Sequence, residues 1–318
     1  MLTYRCGNAC RHCAYRCGPD IAGDAQAWMS DDTLEAALQR LADEPRFHGL
    51  HLAGGEATLD MDRLEHALRR AAHYGVPVDY LETNGGYAAT PRAAREIFRR
   101  LHRAGLRAAL VSISPYHNEF IPLARTRNAL AAAEEVFGAN GVIPWLDHFL
   151  PLLAKLDPGR AHPLPEFLRV NGLDDGDPEL LRLFPLSTGG RAPKALRKFY
   201  RLRPMEAFRG TSCADTLADT THFHIDPEGL LFTGHCPGLA PTAVRDRRGV
   251  EITPESAPIF YLLADGGPVA LADLARERHG FVPDPEGYAA ACDLCGSIRA
   301  FLHRAGAYPD LRPAVFYR

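Results

Sequence analysis

The sequence predicts an α/β fold, on three observations. Strand-like and helix-like segments alternate through the first half of the chain. Polar residues cluster where those strands end. The eight cysteines gather in two groups, Cys6, Cys10, Cys13 and Cys17 at the start and Cys213, Cys236, Cys292 and Cys295 in the last third. A βαβα order predicts a parallel sheet with right-handed crossovers.

The elements follow in order. Leu2-Thr3-Tyr4 is a short β-type start, so the first cysteines fall on the loop after it. Asp32-Thr33-Leu34-Glu35 opens a helix in capping-box style, with Leu34, Leu38 and Leu41 on one face. Asp62 to Glu65 repeats the device, with Leu64, Ala67, Leu68 and Ala71 as stripe and Gly75 as stop. Thr90-Pro91 starts a third helix, cored by Ile97, Leu101 and Ala104 and stopped by Gly105. Strands are expected near 48–53, 76–82, 107–114 and 142–148. The segment Pro115 to Phe120 reads as a loop over the mouth of the sheet. Residues 151–212, rich in Pro, Leu and Arg, are expected to hold late elements of the α/β fold and a bridge. The stretch Thr221 to Phe232 alternates around Asp226-Pro227-Glu228-Gly229 and reads as a hairpin. Helical character returns by Ile298 to Leu302.

Composition narrows the classes. At 46% hydrophobic and 24% charged, the 318-residue chain can bury a sizeable core. A net charge of −3 implies no broad basic face, so no nucleic-acid partner is expected. No continuous apolar run approaches the roughly 18 residues of a membrane span. The opening residues lack the pattern of a signal peptide. A cytoplasmic location and no membrane partner are therefore expected. Only Lys155, Lys194 and Lys198 among the 36 basic residues are lysine, which reads as codon bias toward arginine.

Clustered cysteines in a cytosolic chain argue for metal or redox chemistry. Cys6, Cys10 and Cys13 have CxxxCxxC spacing. Three thiolates so placed can hold three irons of a [4Fe–4S] cube and leave the fourth iron open. A zinc knuckle completed by Cys17 is the alternative on spacing alone. Three strand ends add polar groups: Gly54-Gly55-Glu56, where Glu56 can receive an ammonium group, Thr83-Asn84-Gly85, and Ser112 with Ser114. In parallel α/β folds the carboxyl ends of strands are where ligands bind.

With these motifs, the sequence resembles the radical S-adenosylmethionine (radical SAM) superfamily over roughly residues 1–150. The resemblance implies a partial (β/α)6 barrel. It implies that Cys6, Cys10 and Cys13 ligate a [4Fe–4S] cluster whose open iron takes S-adenosyl-L-methionine (SAM). His12 stands at the aromatic position before the last cysteine. Gly54, Gly55 and Glu56 would engage the methionine amine, and Ser112 or Ser114 the ribose or carboxylate. The Thr83-Asn84 strand end belongs to the same cofactor site. Ala57 stands where the family often has proline.

The C-terminal layout is similar to the twitch domain, the shortened form of the SPASM extension. It implies an α+β domain in which Cys213, Cys236, Cys292 and Cys295 hold an auxiliary [4Fe–4S] cluster. Zinc on the same four cysteines is the alternative, and His222, His224 and His235 make a mixed Cys/His site conceivable. The expected domains are residues 1–212, with 151–212 as late barrel elements and bridge, and 213–318.

The function expected is oxidation of a small polar molecule, sugar-like or from natural-product biosynthesis. An electron donor such as flavodoxin or ferredoxin would serve as partner. The position of Cys6 near the first residue argues for a small substrate over a leader-bearing peptide. Peptide crosslinking or epimerisation, sulfur insertion and a non-catalytic zinc or iron regulator are the rivals. Tyr116, His117 and Glu119 are the candidate catalytic contacts. Arg125, Arg127, Trp145, Asp147 and His148 are weaker ones.

Overall fold

The computed structural model describes residues 1–21, 28–44, 47–184, 189–233, 236–246 and 251–318. The chain divides into two compact units: Met1–Cys10 with Cys17–Asp175, and Arg11–Arg16 with Gly176–Arg318. The expected boundary at 212/213 thus differs from the division at 175/176.

The first unit is built on a four-stranded parallel sheet in the order β1 (Leu50–Leu52), β2 (Val78–Thr83), β3 (Ala109–Ser112) and β4 (Val142–Trp145). All four lie where the alternation predicts. Each crossover carries a helix, with Met61–His73 between β1 and β2 and Pro91–Arg103 between β2 and β3. Leu123–Phe137 lies between β3 and β4 and packs against Pro91–Arg103. Ala109 and Val111 are fully buried, while Leu110 and Ser112 on the other face are half-buried. That period of two is what a sheet with helices on one side requires.

The helix starts correct the expected caps. Ser30, not Asp32, caps Asp31–Ala42 by accepting from the Thr33 amide at 3.2 Å. Asp60, not Asp62, caps Met61–His73 by accepting from the Arg63 amide at 3.1 Å. A cap needs extended backbone, and Ser30 and Asp60 have it. Thr90 caps Pro91–Arg103 as expected, but the buried stripe is Ala94, Phe98 and Leu101. Ile97 is only half-buried.

Two further expectations fail. Pro115–Asn118 is a short helix capped by Ser114, where a loop was expected. Pro115 at its first position fits helix geometry and removes no hydrogen bond. Among the described residues no strand lies between Trp145 and Phe223, so the described part of 151–212 supplies no strand for a longer barrel. They form short helices instead, such as Leu164–Val170 and Glu179–Leu183. Recurrent prolines remove the amide donors that a central strand needs.

The second unit holds a three-stranded antiparallel sheet, β5 (Phe223–Ile225), β6 (Leu230–Thr233) and β7 (Thr242–Ala243). The hairpin falls where expected. Asp226 shapes its turn, accepting from the amides of Glu228 and Leu230, each at 2.9 Å. Gly229 takes the positive φ of 80° that the turn demands. The helices Pro258–His279 and Ala291–Arg304 pack together over a core that includes Ile259, Leu263, Leu294, Ile298 and Leu302. Pro258–His279 is long and apolar enough to cross a membrane by length and composition alone. It is kinked at Gly267, and its Leu263, Leu271 and Ala275 lie in that core.

Candidate functional site

In the first unit, Leu2 to Arg5 runs along the end of β1 without forming a named strand. The Leu2 amide donates to the Ala53 carbonyl at 2.7 Å, Gly55 to Thr3 at 2.7 Å, and Glu56 to Arg5 at 2.8 Å. This explains the glycine pair. A Cβ on Gly54 would lie 2.8 Å from the Thr3 carbonyl oxygen, and one on Gly55 would collide with that of Arg5. The glycines are needed first because the chain's own backbone crosses them.

Glu56 is 4% exposed. Its Oε1 accepts from the Thr58 hydroxyl at 2.6 Å, the Thr58 amide at 3.3 Å and the Thr83 hydroxyl at 2.9 Å. Its Oε2 accepts from the Asn84 amide at 2.7 Å. Burial pushes this carboxyl up, and the four donors oppose that rise. Glu56 therefore ties the end of β1 to the end of β2. Its role in this structure is to hold Thr83 and Asn84 in place, which spacing alone did not reveal.

Asn84 in turn reaches the cysteine segment. Its Nδ2 donates to Cys6 Sγ at 3.6 Å, and its Oδ1 accepts from the Gly86 amide at 2.8 Å. The Asn8 amide donates to the same sulfur at 3.4 Å. Cys6 and Cys10 are buried. Two N–H donors on one sulfur suit a metal-bound cysteine, whose sulfur carries negative charge. The donor set therefore fits an iron–sulfur ligand at Cys6. Tyr87, half-buried with its hydroxyl enclosed near Glu56 and Thr83 and its phenol pushed well up by desolvation, completes this polar knot. Asn8, Thr58 and Tyr87 carried no motif signal.

Cys13 and His12 lie in the segment Arg11–Arg16, which groups with the second unit. There the Arg191 amide donates to the Cys13 carbonyl at 3.1 Å. His12 packs edge-on against Phe184 at 4.9 Å between ring centroids. Cys17 is buried in the first unit.

The serine-bearing strand end sorts differently from expectation. Ser114 is buried and accepts from the His117 amide at 3.2 Å, and its hydroxyl lies 2.7 Å from His117 Nδ1. Burial pushes the His117 imidazole down to about 4, so it is neutral at physiological pH. Tyr116 is fully buried. Glu119 accepts from the Leu164 amide at 3.2 Å. Ser112 is half-buried at the end of β3. Arg125 donates to the Gly86 carbonyl at 2.8 Å, and Trp145 is exposed on the edge strand.

In the second unit the four late cysteines come together. Cys213 precedes the helix Ala214–Ala218, and Cys236 follows β6. Cys292 and Cys295 sit in the first turns of Ala291–Arg304. Burial pushes the Cys213 thiol up to about 11, with charge on Cys295 and Cys292 adding to it. Cys236 rises to about 12 for the same reasons, opposed by Arg299. Cys213 and Cys236 both feel charge on Cys292 and Cys295, and Cys213, Cys236 and Cys295 pack on one core, so the four lie in one neighbourhood. Four convergent thiols fit either a [4Fe–4S] cluster or zinc. His224 lies 2.8 Å from the Tyr15 hydroxyl and stacks on Phe232 at 5.2 Å, with His222 stacked on it at 4.9 Å. His235 lies outside the described residues.

Residues 1–138 match the family model of the Radical SAM superfamily. That span contains the CxxxCxxC motif, the Gly54-Gly55-Glu56 turn, Thr83-Asn84 and both serines. The match supports SAM-dependent radical chemistry with a SAM-binding [4Fe–4S] cluster, and members of this superfamily are enzymes. No curated protein matches the chain.

Proposed function

We propose that this chain is a radical SAM oxidoreductase that oxidises a small, sugar-like molecule with the help of a second, auxiliary [4Fe–4S] cluster. The observation that carries the second cluster is the convergence of Cys213, Cys236, Cys292 and Cys295 in one site. When bound, SAM and the two clusters supply a 5′-deoxyadenosyl radical for hydrogen-atom abstraction and an acceptor for the electron left on the substrate.

The chain's own residues do the rest. Cys6, Cys10 and Cys13 would hold the first cluster, with Asn8 and Asn84 donating to the Cys6 sulfur. The Gly55 and Glu56 amides are spent on the chain's own start. The methionine amine, a donor, would then fall to the carbonyl oxygens of Gly54 and Gly55. Glu56 holds that turn against Thr83 and Asn84 and leaves the ammonium to those carbonyls. Ser112 is the more accessible of the two serines for the ribose or carboxylate. Neutral His117 can take up the proton released when an alcohol becomes a ketone. Glu119 and Tyr116 fix the helix that carries it. A flavodoxin- or ferredoxin-type donor supplies the reducing electron.

Iron, sulfide and zinc counts after anaerobic reconstitution test this reading. Wild type should hold about eight irons and the Cys6/Cys10/Cys13→Ala variant about four. Wild type should also form 5′-deoxyadenosine from SAM under reduction, and polyols should raise that rate more than peptides do. About four irons with zinc present would sink the auxiliary cluster. A larger response to peptides would move the substrate to the maturase class.

A further inference from the structure

Arg299 is the one part of the late cysteine site that no motif accounts for. It lies one helical turn after Cys295 on Ala291–Arg304, so Cys292, Cys295 and Arg299 share one stripe of that helix. It is 7% exposed. Its Nη1 donates to the Pro237 carbonyl at 3.0 Å and to the Tyr317 hydroxyl at 3.4 Å. Its guanidinium lies 5.8 Å from the Phe316 ring. Tyr317 is itself anchored to the Gly238 carbonyl. The Arg299 Nε reaches no hydrogen-bond acceptor.

A guanidinium this buried is costly unless an anion offsets it. Among the described residues none of the partners of Arg299 is a carboxylate. The groups whose negative charge it feels are Tyr317, Cys295 and Cys236. A second arginine, Arg16, lies over the same Phe316 ring at 5.2 Å and repels Arg299. Arg16 turns toward the Arg318 carbonyl and that of Gly190, each at 3.5 Å. The Arg299 guanidinium lies within hydrogen-bonding reach of the Cys295 sulfur, one turn earlier on the same helix.

We propose that Arg299 is the built-in counter-charge of the Cys213/Cys236/Cys292/Cys295 centre and raises its reduction potential. This rests on the reading of those cysteines as an iron–sulfur site. Adding an electron to a cluster adds negative charge, and a fixed cation beside the ligand sulfurs favours the reduced form. An acceptor so biased suits a centre that must take an electron from a substrate radical. The identity of the substrate does not enter the argument. Arg299 acts through the sulfurs and is a positioning residue.

The test uses the full-length Cys6/Cys10/Cys13→Ala protein, so that only the late centre is loaded. Its midpoint potential is read by redox titration followed by electron paramagnetic resonance, with Arg299, Arg299→Lys and Arg299→Gln compared. At a fixed ambient potential, Arg299→Gln should lower the ratio of reduced to oxidised cluster at least tenfold, 59 mV for a one-electron couple. Arg299→Lys should recover most of that shift at the same iron content. Equal potentials in the parent and the Gln variant, at equal iron, overturn the proposal alone. So does a Lys variant shifted as far as the Gln variant, since only the tether to Tyr317 and Pro237 would then matter. A parent that holds zinc or no iron overturns the auxiliary cluster and the proposal with it.

Discussion

Replacing Thr83 by valine removes one hydroxyl from the polar knot and keeps its shape. That hydroxyl donates to Glu56 Oε1 at 2.9 Å and accepts from the Gly85 amide at 3.1 Å, and Thr83 is 3% exposed. The bond to a buried carboxylate contributes about 1.5–3 kcal/mol, and the neutral bond about 0.5–1.5 kcal/mol. The Gly85 amide is also left without its acceptor. The expected loss is about 2–4 kcal/mol for the first unit. Both tryptophans, Trp28 and Trp145, belong to that unit. Tryptophan emission during urea unfolding therefore reports on it alone. The midpoint should fall with little change in slope, as for a change in stability without a change in exposed area. Thr83→Ser keeps the hydroxyl and should recover most of the loss. A valine variant within about 0.5 kcal/mol of the parent would refute the reasoning. So would a serine variant as unstable as the valine one.

Other perturbations separate the parts of the site. Gly55→Ala drives a Cβ into the Arg5 carbonyl and should cost at least about 1–3 kcal/mol in the same emission assay, with loss of iron uptake at the first cluster. Asn84→Ala removes the side-chain donor to Cys6 Sγ. It should lower the potential of the first cluster, read by redox titration in a Cys213/Cys236/Cys292/Cys295→Ala background. Burial holds the His117 imidazole at about 4, below its ordinary 6.5, so the unfolded chain binds that proton more readily. The stabilising contribution is complete above about pH 6.5 and is lost as the pH falls through about 4, about 3 kcal/mol in all. His117→Asn should flatten that part of the urea-midpoint profile between pH 7 and pH 4.

The parallel sheet and the cysteine spacing were legible because each depends on local pattern. The strands β1, β3 and β4 sit inside the predicted windows and β2 runs one residue past its own, and Leu64, Ala67, Leu68 and Ala71 are buried as their period demands. Caps moved by two residues because Ser30 and Asp60 are the residues with extended backbone, a property that acidic clusters at 31–32 and 62 mask. The glycine pair was found for a neighbouring reason, since the backbone it must clear comes from Thr3 and Arg5, some fifty residues earlier. Glu56 looked like a free carboxylate because two of its partners, Thr83 and Asn84, become neighbours only when β1 and β2 pair. Arg299 was invisible for the same reason. One arginine among 36 basic residues carries no signal until Pro237, Tyr317 and Cys236 fold around it. Residues 151–212 misled because leucine and phenylalanine recur at spacings that suit short helices as well as strands.

The loops at the sheet's carboxyl edge are ordinarily where an α/β protein yields first. Here the amides of Gly55, Glu56, Asn84, Gly85 and Gly86 are all donated to acceptors within the first unit. Hydrogen exchange at those five positions should be as slow as in β2 and β3, even in protein stripped of iron. The rim would then be the stiff part of the molecule, assembled in advance, so that cofactor arrival costs little ordering of the chain.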